Sequence, residues 1–213
     1  MNLAQISEQL VSGDAAATSV LVNRALEEHY SAEAIVRQGL IAGLASAETR
    51  YRNREMLIPE IRMTARALNR GIRHLQAAID TLYSRTLGVV ILGTVEGEYE
   101  DIHKNLLAIM MRCLGLKVFD LGTGVSHTLF LEKAAQEKAA VICVNAMHTL
   151  NPIPMKNLVQ GAITRGLRKK IKIILSGTPI TEGFCRSIGA DFYAPDVESA
   201  AEYAASCYQN RRN

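Results

Sequence analysis

The feature that most limits how this chain can fold is a change of hydrophobic period near Thr81. From residue 3 to about 81 the apolar residues recur at intervals of three and four, with no β-rich run, which is the pattern of helices that bury one face. The spacing predicts helices over 3–12, 14–28, 32–50 and 57–81, punctuated by Gly13-Asp14 and Ser31. Pro59 falls in the first turn of the last, where a missing N–H costs a helix little. Residues 1–83 are therefore expected to form an all-α four-helix bundle around one shared core.

Beyond Thr81 come the short apolar runs LGVVILG, LKVFDLG, AAVICVN, IKIILSG and ADFYAP, each followed by a stretch of helical spacing. That alternation predicts βαβ units, hence a five-stranded parallel sheet covered on both faces over residues 87–213, a doubly wound (Rossmann or flavodoxin-like) α/β domain. Such sheets bind ligands outside the carboxyl ends of their strands, where the strand order reverses. The loops to watch are 93–103, 121–126, 145–153, 176–179 and 194–197.

Composition narrows the function classes. With 48% hydrophobic residues the chain can build ordinary cores. Its 24 basic and 21 acidic residues are interspersed, so no basic face points to nucleic acid, and Arg50, Arg52 and Arg54 read as a solvated surface. Cys113, Cys143, Cys185 and Cys207 form no CxxC pair, which fits buried, reduced thiols better than zinc or redox chemistry. MNLAQISEQL lacks the basic start and apolar run of an export signal, and no apolar stretch approaches the roughly 20 residues that span a bilayer. A cytoplasmic protein without membrane or nucleic-acid partners is expected.

At the predicted sheet edge stand Gly93, Gly97, Gly122, Gly124 and Gly177. Any one of them reads first as a turn residue, but five on one edge favour a large flat or phosphate-bearing ligand. The first loop also carries Glu96, Glu98, Glu100 and Asp101 just before a helix starting near Ile102. These acids fit helix caps and dipole partners, a divalent-cation site, or the underside of a bound cofactor. A phosphoryl-accepting receiver domain would need an aspartate at the end of the third strand and a lysine after the fifth, where this chain has Asn145 and Pro195-Asp196. His127 and His148 lie in edge loops, whereas His29 and His74 belong to the bundle.

Taken together, GLIAGLASAETRYRNREMLIPEIRMTARAL in the helical half and GTVEG, LGLKVFDLG, PMKNLV, SGTPIT and IGADFYAPD in the second half resemble the corrinoid (cobalamin, vitamin B12) proteins of methyltransferase systems and the cobalamin module of methionine synthase. The resemblance runs over nearly the whole chain and implies a helical cap followed by a cobalamin-binding α/β domain. The family signature is Asp-x-His-x-x-Gly after the first strand, Ser-x-Leu after the third and Gly-Gly after the fourth. Anchored on GTVEG and on Lys104-Asn105, this chain has Glu98 at the Asp, Glu100 at the cobalt-ligating His and His103 at the Gly. Asn145 and Met147 stand at the Ser and Leu, Thr149 keeps a hydroxyl, Asn151 takes a further hydroxyl position, and Ser176-Gly177 replaces Gly-Gly.

The resemblance places the cofactor against Gly97, Glu98, Tyr99, Glu100, Asp101, Ile102, His103, Gly122, Asn145, Met147, Thr149, Asn151, Ser176, Gly177 and Tyr193. In the family an imidazole is the lower cobalt ligand and an aspartate orients it. A glutamate cannot copy this, so the cobalt ligand is left open between Glu100 and none, with a shifted His103 as the other candidate. Glu98 and Glu100 side by side are expected to repel, which favours a proton on one of them if the loop is covered. Met56, Leu57, Ile58 and Met63 are apolar at helical spacing, which ordinarily means bundle core. The resemblance implies instead that one or two of them, Met56 and Ile58 foremost, or Tyr51, cover the upper face of the corrin.

The function so implied is that of a corrinoid methyl carrier, holding cobalamin base-off and exchanging a methyl group with methyltransferase subunits, with a reductive activator as a further partner. Catalysis would belong to the partners. Two alternatives stay open: a docking scaffold that has lost the cofactor, and a cobalamin-responsive regulator.

Overall fold

A computed structural model of the chain describes residues 2–82, 86–147 and 151–209, the side chains at 77 and 80–82 excepted. The chain divides into two units, Met1–Ser84 and Arg85–Asn213.

The first unit contains α1 (Ala4–Val11), α2 (Ala15–Glu27), α3 (Ala32–Ile35), α4 (Ala42–Arg52) and α5 (Ile58–Leu82). The predicted punctuation operates as caps: Asp14 Oδ1 accepts from Ala17 N at 2.8 Å, and Ser31 Oγ accepts from Ala34 N at 3.1 Å. The third predicted helix is continuous to Arg52 but not uniform, because Val36–Ile41 between α3 and α4 is π-helical. Small residues let α1 lie close against this segment. A Cβ on Gly39 would stand 2.9 Å from Ile6 Cγ2, and one on Gly43 2.7 Å from Leu10 Cδ2. The face of α5 formed by Thr64, Ala67, Leu68, Leu75 and Ile79 is buried.

The second unit has β1 (Gly88–Thr94), α6 (Ile102–Cys113), β2 (Leu116–Asp120), α7 (His127–Gln136), β3 (Val141–Asn145), α8 (Ile153–Thr164), β4 (Lys172–Ser176), α9 (Glu182–Ile188), β5 (Phe192–Ala194) and α10 (Val197–Gln209). The five strands pair in parallel in the order β2-β1-β3-β4-β5, so the order reverses between β1 and β3. The apolar runs are continuous because the middle strands are buried on both faces, with Ile91, Val144 and Leu175 fully inside. Register then aligns the strand ends: Thr94 lies opposite Asn145, and Asn145 opposite Ser176. Among the described residues no helix is long and apolar enough to cross a membrane.

Candidate functional site

Three buried polar residues, Thr94, Asn145 and Ser176, end the three central strands at the switch point. Thr94 Oγ1 donates to Glu98 O at 2.6 Å and accepts from Gly124 N at 2.9 Å, tying two loops together. Asn145 Nδ2 makes only a long bond to Ser176 O, 3.5 Å, and Asn145 Oδ1 is buried with no hydrogen-bond partner. An amide oxygen left so is destabilising by roughly 1–3 kcal/mol, and His127 Nδ1 at the start of α7 is likewise buried without a partner.

Glu98 is 3% exposed, and both of its oxygens accept from backbone: Oε1 from Glu100 N at 3.1 Å and Oε2 from Met147 N at 2.9 Å. One carboxylate thus staples the loop after β1 to the loop after β3. Glu100 turns the other way, with Oε1 accepting from Ile102 N at 2.5 Å at the start of α6 and Oε2 lying 3.3 Å from His103 Nδ1. The imidazole and this carboxylate pair across one helical turn, each with a side chain 20% exposed. Asp101 Oδ2 accepts from Asn105 Nδ2 at 3.1 Å, inside the same helix start.

Beneath this turn Lys104 is buried, donating to Asp120 Oδ2 at 2.5 Å and Asn105 Oδ1 at 2.8 Å. Asp120 Oδ1 in turn accepts from Gly122 N at 2.8 Å, so the ion pair of buried Lys104 with the more exposed Asp120 fixes the loop after β2. Thr94 and the Lys104–Asp120 pair are positioning groups that sequence reasoning did not single out. The threonine closing GTVEG's strand and the Lys-Asn pair were visible, but their partners are distant in sequence.

The other expected residues are placed unevenly. Tyr99 is exposed, its ring within 3.1 Å of where a Cβ on Gly124 would stand. Gly122 has φ +85°, and a Cβ there would meet nothing within 4 Å, so this corner of the edge is open. Gly177 has φ +136°, and its Cβ would lie 1.7 Å from Ala146 O; here glycine lets two backbones touch. Tyr193 packs against the sheet core. Asn151 Oδ1 accepts from Ile153 N at 3.1 Å at the start of α8. Thr149 and His148 lie outside the described residues.

In the helical unit Met56 is buried, as a core residue should be, but Leu57, Ile58 and Met63 are 68%, 55% and 46% exposed. The bundle-core expectation is thus corrected for three of the four. The reason is geometric: Leu57 precedes α5, and positions 58 and 63 fall off its 64/67/68/75/79 face. Tyr51 is exposed too. Cys113, Cys143 and Cys185 are buried free thiols and Cys207 is half-buried. Burial pushes the Cys185 thiol up to about 11 and raises that of Cys143 still further. Among the described residues no group of three or more His, Cys, Asp or Glu side chains is placed to hold a metal ion.

A helical unit followed by a parallel sheet with a polar switch point is the architecture of a corrinoid-binding protein, and comparison with known proteins agrees. Residues 3–76 and residues 88–203 each match a B12 binding domain. A corrinoid protein of Desulfitobacterium hafniense (strain Y51) is 30% identical over 95% of both chains, and dimethylamine corrinoid protein 1 of Methanosarcina mazei is 30% identical over 95% of this chain and 94% of its own. The monomethylamine corrinoid protein of Methanosarcina barkeri superposes with a TM-score of 0.80 at 25% identity, covering 95% of this chain and 96% of that one. The chain belongs to the B12 binding domain family and is closely similar to the corrinoid proteins of methyltransferase systems; its cofactor is a corrinoid of the cobalamin type.

Part of the edge fits that cofactor. Open space at Gly122 and the unpartnered Asn145 Oδ1 suit a ligand with hydrogen-bond donors entering between β1 and β3. The two carboxylate oxygens of Glu100 face Ile102 N and the His103 ring.

Proposed function

We propose that the chain is a methyl-carrying corrinoid protein, with residues 1–83 as the cap and 87–213 as the cobalamin-binding domain. It would hold the cofactor base-off and without the family's histidine ligand. When bound, the cobalt of the corrinoid supplies the chemistry, taking up a methyl group and giving it away. The chain's own residues bind and shield. Glu98 and the Lys104–Asp120 pair hold the loops after β1, β2 and β3 in place, Asn145 offers its buried oxygen to the cofactor's tail, and Gly122 leaves room for it. Exposed Leu57, Ile58 and Met63 give the cap an apolar surface suited to excluding water from the corrin's upper face.

Glu100 is the family's ligand position, but its carboxylate is engaged by the helix start and by His103, which supports a weak or missing lower ligand. Methyltransferase subunits that donate and accept the methyl group are the partners, with a reductive activator to restore reduced cobalt, all in the cytoplasm.

The observation that carries this reading is the unpartnered Asn145 Oδ1 at the switch point of a B12 binding domain. Its test is to mix the purified protein with hydroxocobalamin, remove free cofactor by gel filtration and read the visible spectrum. Near-stoichiometric retention is expected, weakened at least tenfold in Asn145→Leu. Absence of any retained corrinoid would overturn the carrier reading.

A further inference from the structure

Between Glu60 and Asp80 the chain contains no acidic residue but four arginines, Arg62, Arg66, Arg70 and Arg73. Their spacings of four, four and three put all four on one face of α5, opposite its buried side, and all are exposed. Among the described residues none of the four makes an ion pair or a side-chain hydrogen bond. Other helices treat their cations differently. Arg24 pairs with Glu28, Arg37 with Glu33, Lys133 with Glu137 and Arg186 with Glu182, each with an acid four residues away. Like charges one turn apart oppose helix formation, so the row on α5 is a standing penalty that no described side chain of its own helix offsets by an ion pair.

The choice of cation is also selective. The first 84 residues hold nine arginines, nine acids and no lysine. A guanidinium is a planar fork that takes a carboxylate bidentately, whereas an ammonium is a point charge. Exposed Ile58 stands four residues before Arg62, and exposed Met63 lies three before Arg66. Arginine and methionine beside apolar surface, with lysine absent, is the composition of a protein–protein interface. A nucleic-acid surface would be expected to carry net positive charge over the unit, and here the unit is balanced.

We propose that the arginine face of α5 is a docking surface for a protein partner presenting a row of carboxylates at matching one-turn spacing. This rests on the carrier reading, since a carrier must recognise the proteins it exchanges with. Binding would remove the arginine repulsion, so the row favours the docked state over the free one.

The test uses the full chain and, as probe, a fluorescent helical peptide with glutamates at one-turn spacing on one face, followed by anisotropy at low and moderate salt. Controls are a scrambled peptide of the same composition, an oligothymidylate of the same charge and phosphatidylglycerol vesicles. The ordered peptide is expected to bind saturably and at least fivefold more tightly than the scramble. Affinity should fall at least tenfold in Arg66→Glu/Arg70→Glu and by a smaller factor in Arg66→Lys/Arg70→Lys, which keeps the charge and loses the fork. The glutamate variant should melt no lower than wild type, because it relieves repulsion, and should retain hydroxocobalamin equally well. No saturable binding, equal binding of the scramble, tighter binding of the oligonucleotide or the vesicles, or unchanged affinity in the glutamate variant would overturn the proposal. Loss of cobalamin retention by wild type would instead sink the carrier reading and leave the docking result standing.

Discussion

The sheet edge and the start of α5 are two candidate surfaces built on opposite principles. At the edge the functional groups are buried and polar, and hydrogen bonds hold them in place: Glu98 accepts two backbone N–H groups, Thr94 bridges two loops and Lys104 sits in an ion pair. At the start of α5 the groups are apolar and exposed, with Leu57, Ile58 and Met63 held by no network. Orientation of a ligand needs the first kind of surface, because a polar contact has direction. Shielding needs only the second, because apolar burial is roughly proportional to area and has no preferred angle. The difference predicts that substitutions of the hydrogen-bonded edge groups act on stability and geometry, whereas those at the cap act only on the loaded protein.

The largest effect is expected for Gly177→Ala. Its Cβ would overlap Ala146 O at a φ that L residues rarely adopt, so a loss of at least about 3 kcal/mol is expected in denaturant unfolding of the α/β unit. A Gly177→Ala variant as stable as wild type would mean that the β3 and β4 ends are not in backbone contact. Next comes Glu98→Ala, which strips two amides of their acceptor and should destabilise by about 2–3 kcal/mol. Hydrogen exchange should speed up at both Glu100 and Met147, although the two lie in different loops, far apart in sequence. Faster exchange at Glu100 alone would break the staple.

A smaller effect of opposite sense is expected for Asn145→Leu. It removes an unsatisfied buried oxygen and one long hydrogen bond, so the cofactor-free protein should change by less than about 1 kcal/mol or gain stability, even as cobalamin retention falls. Smallest of all, Leu57→Ser and Met63→Ser should leave the melting of the cofactor-free protein within about 0.5 kcal/mol of wild type. They should nevertheless hasten oxidation of bound reduced cobalamin. A large stability loss in either would place these residues in the bundle core after all.

Much of this architecture is legible in the sequence, because its periods differ so sharply on the two sides of Thr81. Each apolar run from LGVVILG to ADFYAP became a strand, since a strand buried on both faces needs an unbroken apolar run. Gly13-Asp14 and Ser31 marked helix starts because capping is a local interaction. The π-helical segment at Val36–Ile41 left no comparable signal, as its one-residue shift in hydrogen bonding hardly disturbs the apolar spacing.

The site was legible by residue type and not by partner. Glu98 and Glu100 were visible as neighbouring acids expected to repel, but their side chains diverge, one toward Met147 and the other toward His103. That divergence depends on the loop after β3 arriving beside the loop after β1, which only the strand order brings about. Arg62, Arg66, Arg70 and Arg73 were legible at helical spacing, yet Arg50, Arg52 and Arg54 were the more conspicuous cluster along the chain.

The most direct test of a corrinoid carrier without the family's histidine ligand is the EPR spectrum of the cobalamin-loaded protein in its Co(II) form, recorded for wild type, Glu100→Ala and His103→Ala. Bound base-off cobalamin with no nitrogen superhyperfine splitting in any of the three is expected. Splitting present in wild type and lost only in His103→Ala would contradict this and show that the imidazole one turn along α6 has taken over the cobalt.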